Sequence, residues 1–235
     1  MGQSSGIGVL DKAVLVLTVV AASPATLAEL VDRTGLPRAT AHRVAVALES
    51  HRLLLRDAEG RWLPGPALAE LARQAPDALL VAAPGVLARL RDETGESAQL
   101  YRREGGVRVC VAAAERTHGG LRDTVPVGVR LPMTAGSAAQ VLAAWATRDD
   151  DVAELLAHAR FTARTLAEVR RRGWAQSVAE REAGVASVSA PVRDAAGAVV
   201  AAVSVSGPIE RLGRRPGTHL SPAVLAAGRA LSQRV

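Results

Sequence analysis

Gly35 and Pro37 stand on either side of Leu36, and this punctuation constrains the chain more than any other short stretch of it. Glycine takes the left-handed backbone that ends a helix. Proline suits the first turn of the next helix, where its missing N–H costs nothing. Upstream, Thr26-Leu27-Ala28-Glu29 fits a capping box, with Thr26 as N-cap and Glu29 at the third helical position, so a helix is expected to run to Thr34. Downstream, Ala41, Val44, Ala45 and Leu48 recur at helical spacing and predict a buried face, leaving Arg38, Ala39, His42 and Val46 opposite. Two short helices joined by so tight a turn form a helix-turn-helix pattern.

In that motif the N-terminal end of the second helix enters the major groove of DNA. Here that end carries Arg38, Thr40, His42 and Arg43. Arginine pairs guanine bidentately, threonine meets a thymine methyl or a phosphate, and free helix N–H groups hold a phosphate. An earlier helix is expected over Val9–Ala22, stopped by Ser23-Pro24. After the motif, Leu53–Arg56, the turn Asp57–Gly60 and Arg61–Leu63 read as a hairpin. Arg56 and Arg61 flank its turn and can reach phosphate or minor groove as a wing. Between positions 33 and 61 six arginines face three acids, so positive charge gathers where DNA would lie. The bland alternative is a solvated helical bundle with ordinary surface arginines.

Length bounds the rest. A chain of 235 residues favours two domains. Its apolar fraction is 49% but aromatics are only 2%, so any core is aliphatic, which argues against aromatic platforms for single-stranded nucleic acid. The net charge of +6 comes from arginine, since Lys12 is the only lysine; as a sign of nucleic-acid binding, net charge alone is weak. Cys110 lies in the apolar run Val109–Ala112 and reads as a buried, inert thiol. The apolar run Ala13–Ala22 is too short to span a bilayer and lacks the basic flank of a signal peptide, so a buried first helix and a cytoplasmic protein are expected.

Beyond a flexible arm at Met1–Gly8 and a connecting helix over Ala67–Gln74, Pro76 marks a boundary. Leu79–Thr94 is helical in pattern, with Pro84-Gly85 able to kink or split it. Glu96–Arg103 and Val107–Glu115 read as strands around the turn Glu104-Gly105-Gly106. Leu131–Met133 leads into a small-residue helix over Ala135–Trp145, and Asp151–His158 and Thr165–Arg172 are further helices. Val185–Arg193 and Val199–Gly207 are apolar strands, and Ser221-Pro222 is expected to open a terminal helix. The whole describes an α+β protein.

Catalytic signals are thin. His42, His51, His118, His158 and His219 are scattered without metal-ligand spacing. No Gly-x-Ser-x-Gly elbow and no glycine-rich phosphate loop occurs. An enzyme whose first domain serves assembly would need a nucleophile, base or metal set, and none is visible. A purely structural interaction module remains the third reading.

These motifs together resemble the IclR family of bacterial transcription regulators. Thr26–Leu30 and Thr34–Arg43 are similar to its winged helix-turn-helix, and Gly60–Gly65 to the strand that leads into its linker helix. In the second half, Leu131–Ala138, Gly173-Trp174-Ala175, Glu180, Gly184-Val185, Ala190-Pro191-Val192, Asp194, Gly197 and Ser204–Pro208 follow its pattern in order. A Gly-Lys pair common after the Leu-Pro segment is replaced by Ala139-Gln140. The opening Ser4–Ala13 looks closest to an actinobacterial subgroup that controls amino-acid metabolism, including leucine biosynthesis.

The resemblance implies a winged helix-turn-helix DNA-binding domain over 1–65, a linker helix over 66–76, and a GAF-like effector-binding and oligomerisation domain over 77–235. It implies a regulator rather than an enzyme, with no cofactor and no membrane partner. Its partners would be a double-stranded DNA operator, a small-molecule effector, and a second copy of the chain in dimers that can pair into tetramers. Carried over residue by residue, effector contacts fall on Ser137, Ala138, Ser177, Ser187, Ser204 and Ser206. Strand alternation places Ser204 and Ser206 on one face and Val203 and Val205 on the other. Serine hydroxyls, no basic side chain, and the helix start near Ser137 suggest a small carboxylate, an amino acid or keto acid. The bland alternative for Ser204 and Ser206 is that they satisfy buried backbone.

Overall fold

The computed structural model describes residues 5–117, 123–146 and 149–235, so Met1–Ser4 of the expected arm and His118 lie outside the described residues. The chain forms two compact units, Met1–Ala75 and Pro76–Val235.

The first unit contains α1 (Gly8–Ala22), α2 (Leu27–Thr34), α3 (Arg38–Ser50), β1 (Leu54–Arg56), β2 (Trp62–Pro64) and α4 (Pro66–Gln74). Thr26 and Glu29 form the capping box at the start of α2: the Glu29 N–H donates to Thr26 Oγ1, and the Thr26 N–H donates to Glu29 Oε2 at 2.7 Å. Gly35 ends α2 with φ +67°. Pro37 caps α3, whose Ala41, Ala45 and Leu48 are buried. Trp62 is 1% exposed and exchanges backbone hydrogen bonds with Ala25, which ties the hairpin to the chain between α1 and α2.

The first helix corrects an expectation. Only Val16 and Val20 of α1 are buried, and Val9 and Val14 are 70% and 53% exposed within the chain. A unit of this size offers one helix face of core, so the rest of the apolar run is left uncovered by the described residues of its own unit. No described helix is long and apolar enough to cross a membrane.

The second unit is a six-stranded antiparallel sheet between helices. Its strands are β3 (Ser97–Glu104), β4 (Val107–Ala114), β5 (Arg130–Pro132), β6 (Ala175–Val178), β7 (Val185–Arg193) and β8 (Val199–Pro208), in the order β5-β4-β3-β8-β7-β6. The helices are α5 (Ala78–Thr94), α6 (Ser137–Ala144), α7 (Asp149–His158), α8 (Ala163–Arg172), α9 (Ile209–Leu212) and α10 (Gly217–Ser232). Ala98, Leu100, Val188, Val203 and Val205 point to one face, where α5 and α10 supply Leu87, Leu90, Val224 and Leu231. Tyr101, Cys110 and Ala202 point to the other, where α6 and α8 supply Val141, Leu166 and Val169. Burying a valine or leucine side chain stabilises by roughly 1.5–3 kcal/mol, so an aliphatic core of this extent holds the sheet without aromatics.

Three local expectations needed adjustment. Helix α5 runs through Pro84 and Gly85 unsplit. Helix α10 begins at Gly217 rather than at Ser221-Pro222, with Pro222 in its interior. Proline removes one N–H bond, whereas extending the helix upstream adds Leu220 to the buried face that meets the sheet. Strands β5 and β6 were not expected as strands, because three or four residues are too short to show alternation; β6 is recruited by pairing with β7.

Candidate functional site

The exposed face of α3 carries Arg38, His42 and Arg43, with Thr40 half-buried between them. Of the six arginines between 33 and 61, four have internal partners. Arg33 donates to the carbonyls of Val19 and Ser23 at the end of α1. Arg52 pairs with Glu70, and Arg61 with Asp57 at 2.8 Å and Glu59 at 3.4 Å. Arg56 pairs with Glu49 at 3.0 Å and lies 4.3 Å from the centroid of the Trp62 ring. Arg38 and Arg43 have no carboxylate partner among the described residues. The Arg43 Nε reaches only the Ala39 carbonyl, at 3.4 Å.

The Trp62 Nε1–H donates to the same Glu49 oxygen that accepts from Arg56, at 3.2 Å, and the His42 ring meets the Trp62 ring edge-on at 6.3 Å. One tryptophan thereby seats the hairpin against α3. Arg56 and Arg61 stand at the hairpin as expected, but with their charge already balanced. Of the six arginines between 33 and 61, the two without a carboxylate partner among the described residues both lie in the first half of α3.

In the second unit the register of three strands assembles a hydroxyl patch. Ser177 on β6 faces Ser187 on β7, which faces Ser206 on β8; Ser189 faces Ser204, which faces Gln99 on β3. Alternation turns all of these away from the valines of the other face. The N-terminus of α6 closes over the patch, and Ser137, Ala138, Ser177, Ser187, Ser204 and Ser206 all line one cavity of about 20 Å³. That is room for about one water, well below the roughly 300–1,000 Å³ of typical small-molecule sites, so a larger ligand needs the lining side chains to give way. Wider openings lie between α1 and α3, where Lys12, Thr40, Arg43 and His51 join the lining, and along α5 and α10.

The hydroxyls form one relay. Ser177 Oγ lies 2.9 Å from Ser187 Oγ, Ser187 Oγ 2.6 Å from Ser137 Oγ, Ser137 Oγ 2.7 Å from Ser189 Oγ, and Ser189 Oγ 2.9 Å from Ser204 Oγ. Ser204 Oγ donates onward to the Val188 carbonyl, and the Ser137 N–H donates to Ser177 Oγ. Each hydroxyl owns one proton. Since Ser189 donates to Ser204, it must accept from Ser137, Ser137 from Ser187, and Ser187 from Ser177. Every relay proton is therefore engaged, and only lone pairs are left over. Ser206 stands apart and donates to Gln99 Oε1 at 3.1 Å.

Two expectations about this cavity are corrected. It does hold basic side chains, because Arg108 and Arg181 line it together with Tyr101 and Asp123. Two of the backbone donors at the start of α6 are also already used: the Gly136 N–H donates to Glu180 Oε2 at 2.9 Å and the Ser137 N–H to Ser177 Oγ at 3.1 Å. Gln140, where the family pattern has lysine, donates from Nε2 to Glu180 Oε1 at 2.8 Å. Burial raises the Glu180 carboxyl above its ordinary 4.5, against the hydrogen bonds from Gly136 and Gln140.

Arg181 and Asp123 neutralise one another, both Asp123 oxygens lying 2.7 Å from Arg181 Nη2. Arg108 is only 3% exposed, and burial draws its guanidinium down to about 10. A signal for Arg108 did exist in the sequence: an arginine inside the apolar strand Val107–Ala114, in phase with Cys110. No group of histidine, cysteine, aspartate or glutamate able to hold a metal occurs among the described residues.

Comparison with known proteins matches residues 9–58 to the IclR helix-turn-helix domain and residues 77–233 to the C-terminal domain of bacterial IclR transcriptional regulators. The HTH-type transcriptional regulator BhcR of Paracoccus denitrificans is 33% identical, over 98% of this chain and 88% of that protein. The HTH-type transcriptional regulator KipR of Bacillus subtilis is 30% identical, over 77% and 78%. The crystal structure of an IclR-family regulator from Rhodococcus superposes with a TM-score of 0.67 at 28% identity, over 99% of this chain and 95% of that one.

Proposed function

The chain belongs to the IclR family of DNA-binding transcription regulators, and from that premise we propose that it reads its operator with Arg38, Thr40, His42 and Arg43 and is switched by a small carboxylate held against Ser137, Ala138, Ser177, Ser187, Ser204 and Ser206. The observation that carries the first half is charge balance: four nearby arginines have internal partners, and Arg38 and Arg43 are left facing outward in the first half of α3. Arg56 and Arg61, held by Glu49 and Asp57, act at the wing through backbone phosphates rather than by reading bases.

The active species is a homodimer that presents two such helices to half-sites about one helical turn apart. The effector class is a small carboxylate related to the amino acids. The genes controlled belong to amino-acid metabolism, a placement supported by the Ser4–Ala13 segment. The 77–235 region acts as a GAF-like effector and oligomerisation domain, and α4 with the residues up to Pro76 transmits its state.

The test is operator binding by fluorescence anisotropy with Arg38→Ala and Arg43→Ala. A bidentate guanine contact is worth about 1–3 kcal/mol, so each loss is expected to weaken specific binding by roughly 5- to 150-fold with thermal stability unchanged. Arg56→Ala is expected to weaken specific and non-specific DNA alike and to lower the salt dependence. Full operator affinity in both α3 variants would overturn the assignment of α3.

A further inference from the structure

Among the described residues, three buried side-chain atoms in the second unit have no hydrogen-bond partner, namely Gln99 Nε2, Arg108 Nε and Gln140 Oε1. All three belong to residues at or beside the serine cavity. Arg108 lines it, Gln99 is bonded to its Ser206, and Gln140 sits on the α6 turn that closes it. Buried donors are nearly always paired, so a cluster of exceptions at one cavity points to a missing partner.

Arg108 is the strongest of them. It is 97% buried by its 3% exposure, and no carboxylate lies within ion-pair distance of it among the described residues. One Nη donates to the Pro132 carbonyl, and its plane lies 5.5 Å from the Tyr101 ring centroid. Its other Nη packs against Gly136, where a Cβ would stand 3.0 Å away. Gly136, at φ +97°, is the N-cap of α6. A buried cation is thus placed at the positive end of a helix, two like-signed fields that an anion would relieve.

We infer that Arg108 is the anion anchor of this cavity and that its ligand is a small carboxylic acid without an ammonium group, a hydroxy acid above all. The inference rests on the reading of this cavity as the effector site. Arg108 Nε at the cavity and Gln99 Nε2 beside it are buried donors without a partner among the described residues, whereas every relay hydroxyl already donates. The lone pairs that the relay leaves over accept a ligand hydroxyl. An ammonium would find no carboxylate: Asp123 is held by Arg181, and Glu180 by Gly136 and Gln140. It would also meet the charge of Arg108.

The experiment is calorimetric titration of the full chain with matched three-carbon compounds, lactate, pyruvate, alanine and lactamide, and with the two- to five-carbon homologues of the two acids. Hydroxy acids are expected to bind, oxo acids more weakly, and alanine and lactamide at least ten-fold more weakly than lactate. Arg108→Met is expected to lose acid binding by ten-fold or more and to melt no lower than the wild type without ligand, since an uncompensated buried charge is removed. The wild-type panel decides the ligand class even if that variant fails to fold. Binding by none of the acids, equal binding of alanine or lactamide, or acid binding that survives in Arg108→Met would overturn the inference.

Operator affinity separates the two readings. Arg108-dependent acid binding that leaves operator affinity unchanged would overturn the effector assignment and keep the anchor. An operator response to an amino acid that persists in Arg108→Met would overturn the anchor and keep the effector site.

Discussion

Individual side chains here do different work according to what balances them. Arg56 shares the Glu49 carboxylate with the Trp62 N–H and holds the hairpin against α3, whereas Arg38 faces outward with no carboxylate partner among the described residues. Glu180 is balanced by backbone: it accepts from the Gly136 N–H and from Gln140, while burial raises its carboxyl above 4.5. A raised carboxyl favours the protonated form in the folded state, so its contribution is fully present below about pH 4.5 and is lost as pH rises through the raised value. The melting-temperature difference of wild type minus Glu180→Gln is therefore expected to fall as pH is raised across that window in differential scanning calorimetry. A difference that grows with pH would show that the hydrogen bonds outweigh burial.

At the level of elements, the caps decide where helices begin and the sheet decides how far they run. The capping box of Thr26 and Glu29 and the left-handed Gly35 set α2 by local hydrogen bonds, and both were legible from residue types a few positions apart. Helix α5 was legible to within one residue despite Pro84, whereas α10 was placed too late, because Pro222 argues for a helix start rather than an interior position. Their apolar faces pack on the sheet, and that burial outweighs one missing bond. Pro84→Ala would restore an N–H that can reach the Leu80 carbonyl and is expected to stabilise the chain by about 1–3 kcal/mol in urea denaturation, the gain being reduced by the freer unfolded state. A loss of stability would mean that the proline ring itself fills the α5 packing. Strand β6 escaped detection for the opposite reason, since four residues acquire strand geometry only by pairing with β7.

For the whole molecule, a regulator needs its ligand to bind two states of the protein unequally, and the coupling is reciprocal. Ser206 lines the cavity but stands outside the hydroxyl relay. Ser206→Ala is therefore expected to leave ligand-free operator affinity unchanged while weakening the ligand's effect on it, typically 5- to 150-fold in such systems, toward none. Loss of operator binding without ligand would instead make Ser206 a structural residue. The sequence by itself determined the helix-turn-helix, its caps and turn, and the parity that sets Ser204 and Ser206 against Val203 and Val205, because hydrogen-bond caps and side-chain alternation act between neighbours in the chain. Only the tertiary structure decided the charge of the cavity and the identity of the free arginines. Arg181 is neutralised by Asp123 from 58 residues away, and Arg108 has no carboxylate within ion-pair distance among the described residues, because ion pairing depends on distance in space and burial rather than on spacing along the chain.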